Sequence, residues 1–258
     1  MILDDIANRT AQRLEAQKRA LPQAELRRAA EAMPPAPSFR QALKAPGLSI
    51  ISEVKRASPS KGMIAEAFPY LEIARTYEQA GAAAISVLTE PEFFLGSNQY
   101  LEEIARQVRI PCLRKDFTID PYQIYQAKAL GAASVLLICA LLRRDALSDF
   151  IALASQLGMA SLVEAHDESE LTMALEAGAQ IVGVNNRDLR TFRVDFGTCL
   201  RLRPLVPPEI VFVAESGIAA PEDARRLQEA GVDAALIGET LMRASDKAAM
   251  IRLLRGDL

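Results

Sequence analysis

The chain has 258 residues, half of them apolar and 24% charged, with a net charge of −3. That is enough for one large core and short of two full domains, and the acidic balance leaves no basic footprint for nucleic-acid phosphates. The opening MILDDIANRT carries acids at positions 4 and 5 and lacks an apolar stretch, so no signal peptide is expected. No apolar run approaches the length of about 18 residues that a membrane span needs. Cys112, Cys139 and Cys199 are odd in number and far apart, which fits neither a disulfide framework nor a zinc site and suits a reducing cytoplasm. His166 is the only histidine, which rules out multi-histidine metal sites. Chemistry then rests on Lys, Glu, Asp and backbone dipoles.

In chain order, Leu3, Ile6, Thr10 and Leu14 share one helical face and predict an amphipathic helix that Pro22 ends before a second begins. PPAPS (34–38) reads as an extended connector. Eight short apolar runs follow: LSIISEV (48–54), AISVL, IPCLRKD (110–116), SVLLI, SLVEA, IVGVN, IVFVAES (210–216) and AALIG. Five of them come after a helical stretch closed by Gly81, Gly131, Gly158, Gly178 or Gly231, where a helix end calls for a left-handed residue. The runs are short and often β-branched, as strands buried on both faces should be. Helical segments such as Tyr122–Leu130 and Ala220–Ala230 separate them, the latter with Pro221, Glu222 and Asp223 in its first turn.

Strands alternating with helices require a parallel sheet with crossovers. Eight such units in this length predict an α/β fold closed as a (β/α)8 TIM barrel, and no GxGxxG follows the first strand to favour an open doubly wound sheet. Residues 1–46 are expected as an N-terminal helical extension packed on a barrel of 47–258, the whole forming a single domain.

Polar residues end the apolar runs: Glu53 and Lys55, Glu90, Lys115, Cys139, Glu164, Asn185 with Arg187, Glu215 with Ser216, and Gly238. Alternation along a strand puts Lys115 on the face of Leu113 and Glu164 on the face of Leu162, so these charges are expected to look into the barrel mouth. One charge at a strand end is usually the start of a solvated loop. Several converging on the end where such barrels build active sites are harder to explain by stability, because a buried ion costs several kcal/mol unless paired. For Glu90 a structural ion pair is an equal reading. Cys139 is expected to be core packing, and His166 a loop residue and not a proton shuttle. Ser216-Gly217 and Gly238-Glu239 let backbone N–H groups approach an anion, which predicts a phosphate ester there, held by the amide of Glu239 and not its carboxylate.

The stretches ISEVKRASPSKG (51–62), LTEPEFFLGS (88–97), LRKDF (113–117), LVEAHD (162–167), VGVNNRDLRTF (182–192), AESGI (214–218) and LIGETLMRA (236–244) resemble, in order and over essentially the whole chain, the indole-3-glycerol-phosphate synthases. The resemblance implies ring closure, decarboxylation and dehydration of 1-(o-carboxyphenylamino)-1-deoxyribulose 5-phosphate to indole-3-glycerol phosphate in tryptophan biosynthesis. It implies Lys115 as general acid, Glu164 as the acid/base of dehydration and Glu53 as the carboxylate serving the iminium intermediate. Lys55 would bind the anthranilate carboxylate, with Ser58 in a mobile first loop and Phe94 and Phe117 walling the aromatic ring. Asn185 and Arg187 would orient the substrate and Lys115, and Glu215, Ser216, Gly217 and Gly238 would hold the sugar hydroxyls and phosphate. No cofactor or metal is implied, and a monomer is expected. The alternatives are another phosphosugar barrel such as phosphoribosylanthranilate isomerase, whose family relies on a cysteine where this chain has Glu53 and Lys55, or a non-catalytic phosphosugar-binding barrel. Whether Lys115 has a raised or lowered pKa is open from sequence, since Lys55 and Glu53 pull in opposite directions.

Overall fold

A computed structural model describes residues 2–257, so the expected extension and barrel each run one residue beyond what is described. All eight apolar runs form strands: β1 (Ser49–Val54), β2 (Ala84–Leu88), β3 (Cys112–Lys115), β4 (Ser134–Ile138), β5 (Ala160–Ala165), β6 (Ile181–Asn185), β7 (Val211–Glu215) and β8 (Ala234–Ile237). They close in sequential order into one parallel barrel, β8 pairing with β1 through registers such as Ile51 with Leu236. The five glycines at the helix ends all lie at φ between 70° and 91°, where an L side chain would be strained.

The twelve helices of the described residues are α1 (Ile2–Ala20), α2 (Gln23–Glu31), α3 (Phe39–Ala42), α4 (Tyr70–Gln79), α5 (Asn98–Gln107), α6 (Pro121–Ala129), α7 (Arg144–Gln156), α8 (Glu168–Glu176), α9 (Gly197–Leu202), α10 (Pro221–Glu229), α11 (Glu239–Arg243) and α12 (Lys247–Arg255). Their starts follow from side-chain caps. The carboxylates of Asp120, Asp167 and Asp246 accept from the first-turn amides of α6, α8 and α12 at 2.8–2.9 Å, each such cap being worth about 1 kcal/mol. A small hairpin, Ala57–Ser58 against Gly62–Met63, stands in the loop after β1. No helix among the described residues is long and apolar enough to cross a membrane.

Residues 2–44 hold the barrel at both ends. The α1 face predicted from Leu3, Ile6, Thr10 and Leu14 is buried as expected. Together α1 and α2 dock on α6, through a cluster of Leu14, Leu26, Ala30, Tyr122 and Tyr125 and a Lys18–Asp120 ion pair at 2.6 Å. The extended PPAPS segment is tied down by the buried Lys128, whose Nζ donates to the Pro34 carbonyl at 3.2 Å. Beyond it, Phe39 and Leu43 pack with Ile51, Leu113, Leu162, Ile181 and Val211 in the core inside the barrel, and Arg40 and Lys44 both donate to the Glu209 carbonyl. This short segment therefore plugs the N-terminal end of the barrel. Burying a Phe and a Leu fully contributes about 1.5–3 kcal/mol each.

Candidate active site

The C-terminal end of the barrel opens into a cavity of about 490 Å³, a size that suits a small organic ligand. Every residue expected at the site lines it: Glu53, Lys55, Ser58, Phe94, Lys115, Phe117, Glu164, Asn185, Arg187, Glu215, Ser216, Gly217, Gly238 and Glu239. Strand alternation accounts for the convergence. Ile51, Leu113, Leu162 and Val213 fill the barrel below, and the residues two positions later look into the mouth.

At the centre, the Lys115 ammonium lies 3.5 Å from Glu164 Oε2 and 3.8 Å from Glu215 Oε2. Burial alone would lower the Lys115 pKa, but Glu164, Glu215 and Glu53 together raise it well above the ordinary lysine value. The magnitudes agree: a unit charge at about 4 Å contributes about 4 kcal/mol at an effective dielectric of about 20, the same order as a desolvation cost of several kcal/mol. This settles the sign left open by the sequence. The other neighbour, Lys55, is occupied by Glu53, with Nζ 2.5 Å from Oε1.

The two acids facing Lys115 are pushed apart. Burial would raise Glu164, but the Lys115 charge, His166 and a hydrogen bond from Asn185 Nδ2 at 3.2 Å hold its carboxyl below the usual range. Glu215 is pushed up to about 8 by burial and by the nearby Glu164 charge. The two carboxyls are thus pushed in opposite directions, the arrangement that lets one pocket hold both an acid and a base. Room for Glu215 comes from the strand beside it: Gly183 occupies the inward position between Ile181 and Asn185, where a Cβ would collide with the Glu215 carboxylate.

Around the rim, Phe94 and Phe117 stand with ring centroids 5.8 Å apart on the loops after β2 and β3. On the other side of β1, the loops after β7 and β8 carry Ser216 and Gly217, both left-handed at φ 66° and 80°, and Gly238. Ser216 is a non-glycine held in a strained conformation, a cost of about 1–3 kcal/mol that surrounding structure must offset. The buried Asn186 does so, donating Nδ2 to the Ser216 carbonyl at 3.0 Å while its Oδ1 accepts from the Cys199 amide. The Glu239 carboxylate is engaged with Arg243 at 3.2 Å and Lys61 at 3.5 Å.

The remaining residues singled out from the sequence have varied surroundings. Glu90 is fully buried away from the cavity, where it accepts from the amides of Glu92, Phe93 and Phe94 and pairs with Arg13 at 3.1 Å. Of its two readings, the structural ion pair holds. Gly238 directly follows β8. It precedes the five-residue α11, and it is packed so tightly that a Cβ would strike Glu53 and Lys55. Asn185 bonds Glu164 and not Lys115, while Arg187 clasps the Phe192 carbonyl of its own loop at 3.2 Å. His166 is a loop residue by position, yet its Nε2 lies 3.3 Å from Glu164 Oε1. Cys139 is core, as expected. Sequence reasoning also missed Ile2, Leu3 and Ile6, through which α1 lines the cavity, along with Lys61 and Arg243. Only the apolar face of α1 hinted at this, and nothing local says which part of the barrel that face covers. No cluster of His, Cys, Asp and Glu among the described residues could hold a metal ion.

A closed parallel barrel with lysines and carboxylates paired at its mouth, beside the left-handed Ser216-Gly217 turn, is a (β/α)8 barrel whose C-terminal end carries the candidate site. Solved structures agree on the fold: 3-hexulose-6-phosphate synthase from Salmonella typhimurium superposes with a TM-score of 0.66 at 12% identity, over 81% of this chain and 97% of that one. N-acetylmannosamine-6-phosphate 2-epimerase from Clostridium perfringens gives 0.62 at 17%, over 86% and 97%. The family model for indole-3-glycerol phosphate synthase matches residues 3–254. Relatives of that name include those of Ruminiclostridium cellulolyticum, 55% identical over 99% of both chains, and Lacticaseibacillus casei, 54% identical over 97% of both. The chain belongs to the indole-3-glycerol phosphate synthase family. It is accordingly a decarboxylating carbon–carbon lyase of tryptophan biosynthesis, acting on a small phosphate-bearing substrate.

Proposed function

We propose that the mouth residues divide the conversion of 1-(o-carboxyphenylamino)-1-deoxyribulose 5-phosphate among themselves, with the Lys115 ammonium as the acid of ring closure. The observation that carries this reading is Lys115 Nζ lying 3.5 Å from Glu164 and 3.8 Å from Glu215 at the centre of the cavity, where these carboxylates favour its charged form. The aromatic carbon bearing the carboxylate attacks the ribulose carbonyl, and Lys115 delivers a proton to the carbonyl oxygen as the C–C bond forms. The resulting iminium accepts the electron pair released when the C–C bond to the carboxylate breaks and carbon dioxide leaves, so no cofactor is needed as electron sink. Glu53 stabilises that cation. Loss of water then moves a proton from the neighbouring carbon to the departing hydroxyl, and Glu164, starting ionised, takes it from the first and returns it to the second.

Binding follows the same logic. Phe94 and Phe117 wall the aromatic ring, and Lys55 exchanges its bond to Glu53 for the substrate carboxylate. The Ser216-Gly217 and Gly238-Glu239 backbone receives the phosphate, with Ser58 on the hairpin closing the first loop over it. Arg187 and Asn185 set the loop and the Glu164 carboxylate in place, and Glu215 faces the sugar hydroxyls. The three buried thiols suit a reducing cytoplasm.

The test is an indole fluorescence assay on the carboxyphenylamino substrate in EDTA. Product formation that ignores EDTA, together with loss of turnover and retained binding in Glu164→Gln, is the expected result. Full turnover by Glu164→Gln would overturn the assignment of that residue.

A further inference from the structure

His166 sits one residue beyond β5 with its side chain only 15% exposed, between two carboxylates. Its Nδ1 is 3.0 Å from Glu170 Oε2, and the same oxygen accepts the His166 backbone N–H at 2.9 Å. Glu170 is itself fixed in the first turn of α8, where its amide donates to Asp167 at 2.9 Å. The other ring nitrogen, Nε2, lies 3.3 Å from Glu164 Oε1 but is not aligned to hydrogen-bond it, and it is buried with no other partner. A neutral imidazole carries one donor and can serve only one of two flanking carboxylates, whereas the imidazolium serves both. The site therefore holds a buried ring nitrogen beside the Glu164 carboxylate, placed to act on it through charge.

Resting on the roles proposed above for Lys115 and Glu164, we propose that His166, oriented by Glu170, is a positioning residue for the dehydration half of the reaction. In the resting site Glu164 has two cationic neighbours, Lys115 at Oε2 and His166 at Oε1. When Lys115 gives its proton to the carbonyl oxygen it becomes neutral, and Glu164 loses one counter-charge inside a buried pocket, which would favour its protonation. The His166 imidazolium is the cation that remains. It keeps Glu164 ionised and aimed until the second proton has to be taken. Burial opposes charge on His166, but Glu164 and Glu170 more than reverse that, pushing it up to about 10. The groups facing it are Glu164 on β5, Glu170 on α8, Asp188 after β6, Glu215 on β7 and, near both Glu164 and Glu170, the neutral thiol of Cys139.

Single turnovers of the full chain that record carbon dioxide release and indole fluorescence separately test this. In His166→Gln, carbon dioxide release should stay within about twofold of wild type while indole appearance slows by about tenfold or more. Glu170→Gln should do the same more weakly, and it keeps the test available if His166→Gln fails to fold. Because the chain has one histidine, its imidazole NMR signals are unambiguous: both ring nitrogens should carry protons at pH 8 in wild type, and Glu170→Gln should lower the pH at which one is lost. Equal slowing of both steps, or of neither, would overturn the proposal, as would a neutral ring at pH 8. If Glu164→Gln itself leaves indole appearance untouched, the failure lies with the role of Glu164 and the His166 proposal falls with it. If Glu164→Gln abolishes indole formation and His166→Gln does not slow it, only the His166 proposal falls.

Discussion

At the N-terminal end of the barrel the strands turn Ile51, Leu113, Leu162 and Val211 inward, closed off by Phe39 and Leu43. At the other end the same strands turn Glu53, Lys115, Glu164 and Glu215 inward, all nearly buried. The backbone geometry is shared; only the side-chain chemistry differs, and it decides what each end is for. The lower end contributes stability by excluding water from apolar surface. At the upper end ions are kept out of water, where each costs several kcal/mol unless paired. Such an arrangement is not explained by stability, which fits the substrate roles proposed for these residues.

The largest effect that would break this division is loss of catalysis without loss of fold. Glu164→Gln should lower kcat by about 10²–10⁴-fold in a protein that still folds cooperatively, read by assay and calorimetry side by side. The converse change, Phe39→Ala at the plug, should cost about 3–5 kcal/mol of stability while the folded fraction turns over normally. A Phe39→Ala protein of normal stability but poor activity would dissolve the distinction between the ends. Smaller but sharper is Gly238→Ala. Its Cβ meets the Glu53–Lys55 pair, so kcat should fall as well as affinity, and a pure KM effect would mean that Gly238 serves the phosphate alone.

The smallest effect concerns pH. Glu215 holds its proton up to about 8 when folded, whereas the unfolded carboxyl loses it near 4.5. Between these values the folded chain binds more protons than the unfolded one, so this group makes stability fall as pH rises through that window. Glu215→Gln, which cannot ionise, should melt higher than wild type at pH 7 and show no advantage at pH 4. Melting curves at the two pH values check it, and equal differences at both would mean that Glu215 is ionised in the fold.

Most of the barrel was legible because its code is local. A helix, a left-handed glycine and a buried apolar run repeat along the chain, and alternation from Leu113 to Lys115 or Leu162 to Glu164 states which side chains meet at the mouth. The site residues followed from that parity together with the family resemblance. What escaped depends on contacts between distant segments. The pattern around Glu90 is the same whether it faces a substrate or Arg13, 77 positions earlier. His166 reads as an ordinary loop residue until Glu170, one turn into α8, brings its ring against Glu164. Likewise the α1 stripe announces burial, but not that Ile2 and Ile6 wall the cavity.

The centre of the site is tested most directly by Lys115→Met, followed by substrate binding and single-turnover chemistry on the same sample. Removing the ammonium should leave the substrate bound, since the phosphate loops and the aromatic wall are intact, while neither carbon dioxide nor indole fluorescence appears. Carbon dioxide release at the wild-type rate would contradict the placement of Lys115 as the acid of ring closure.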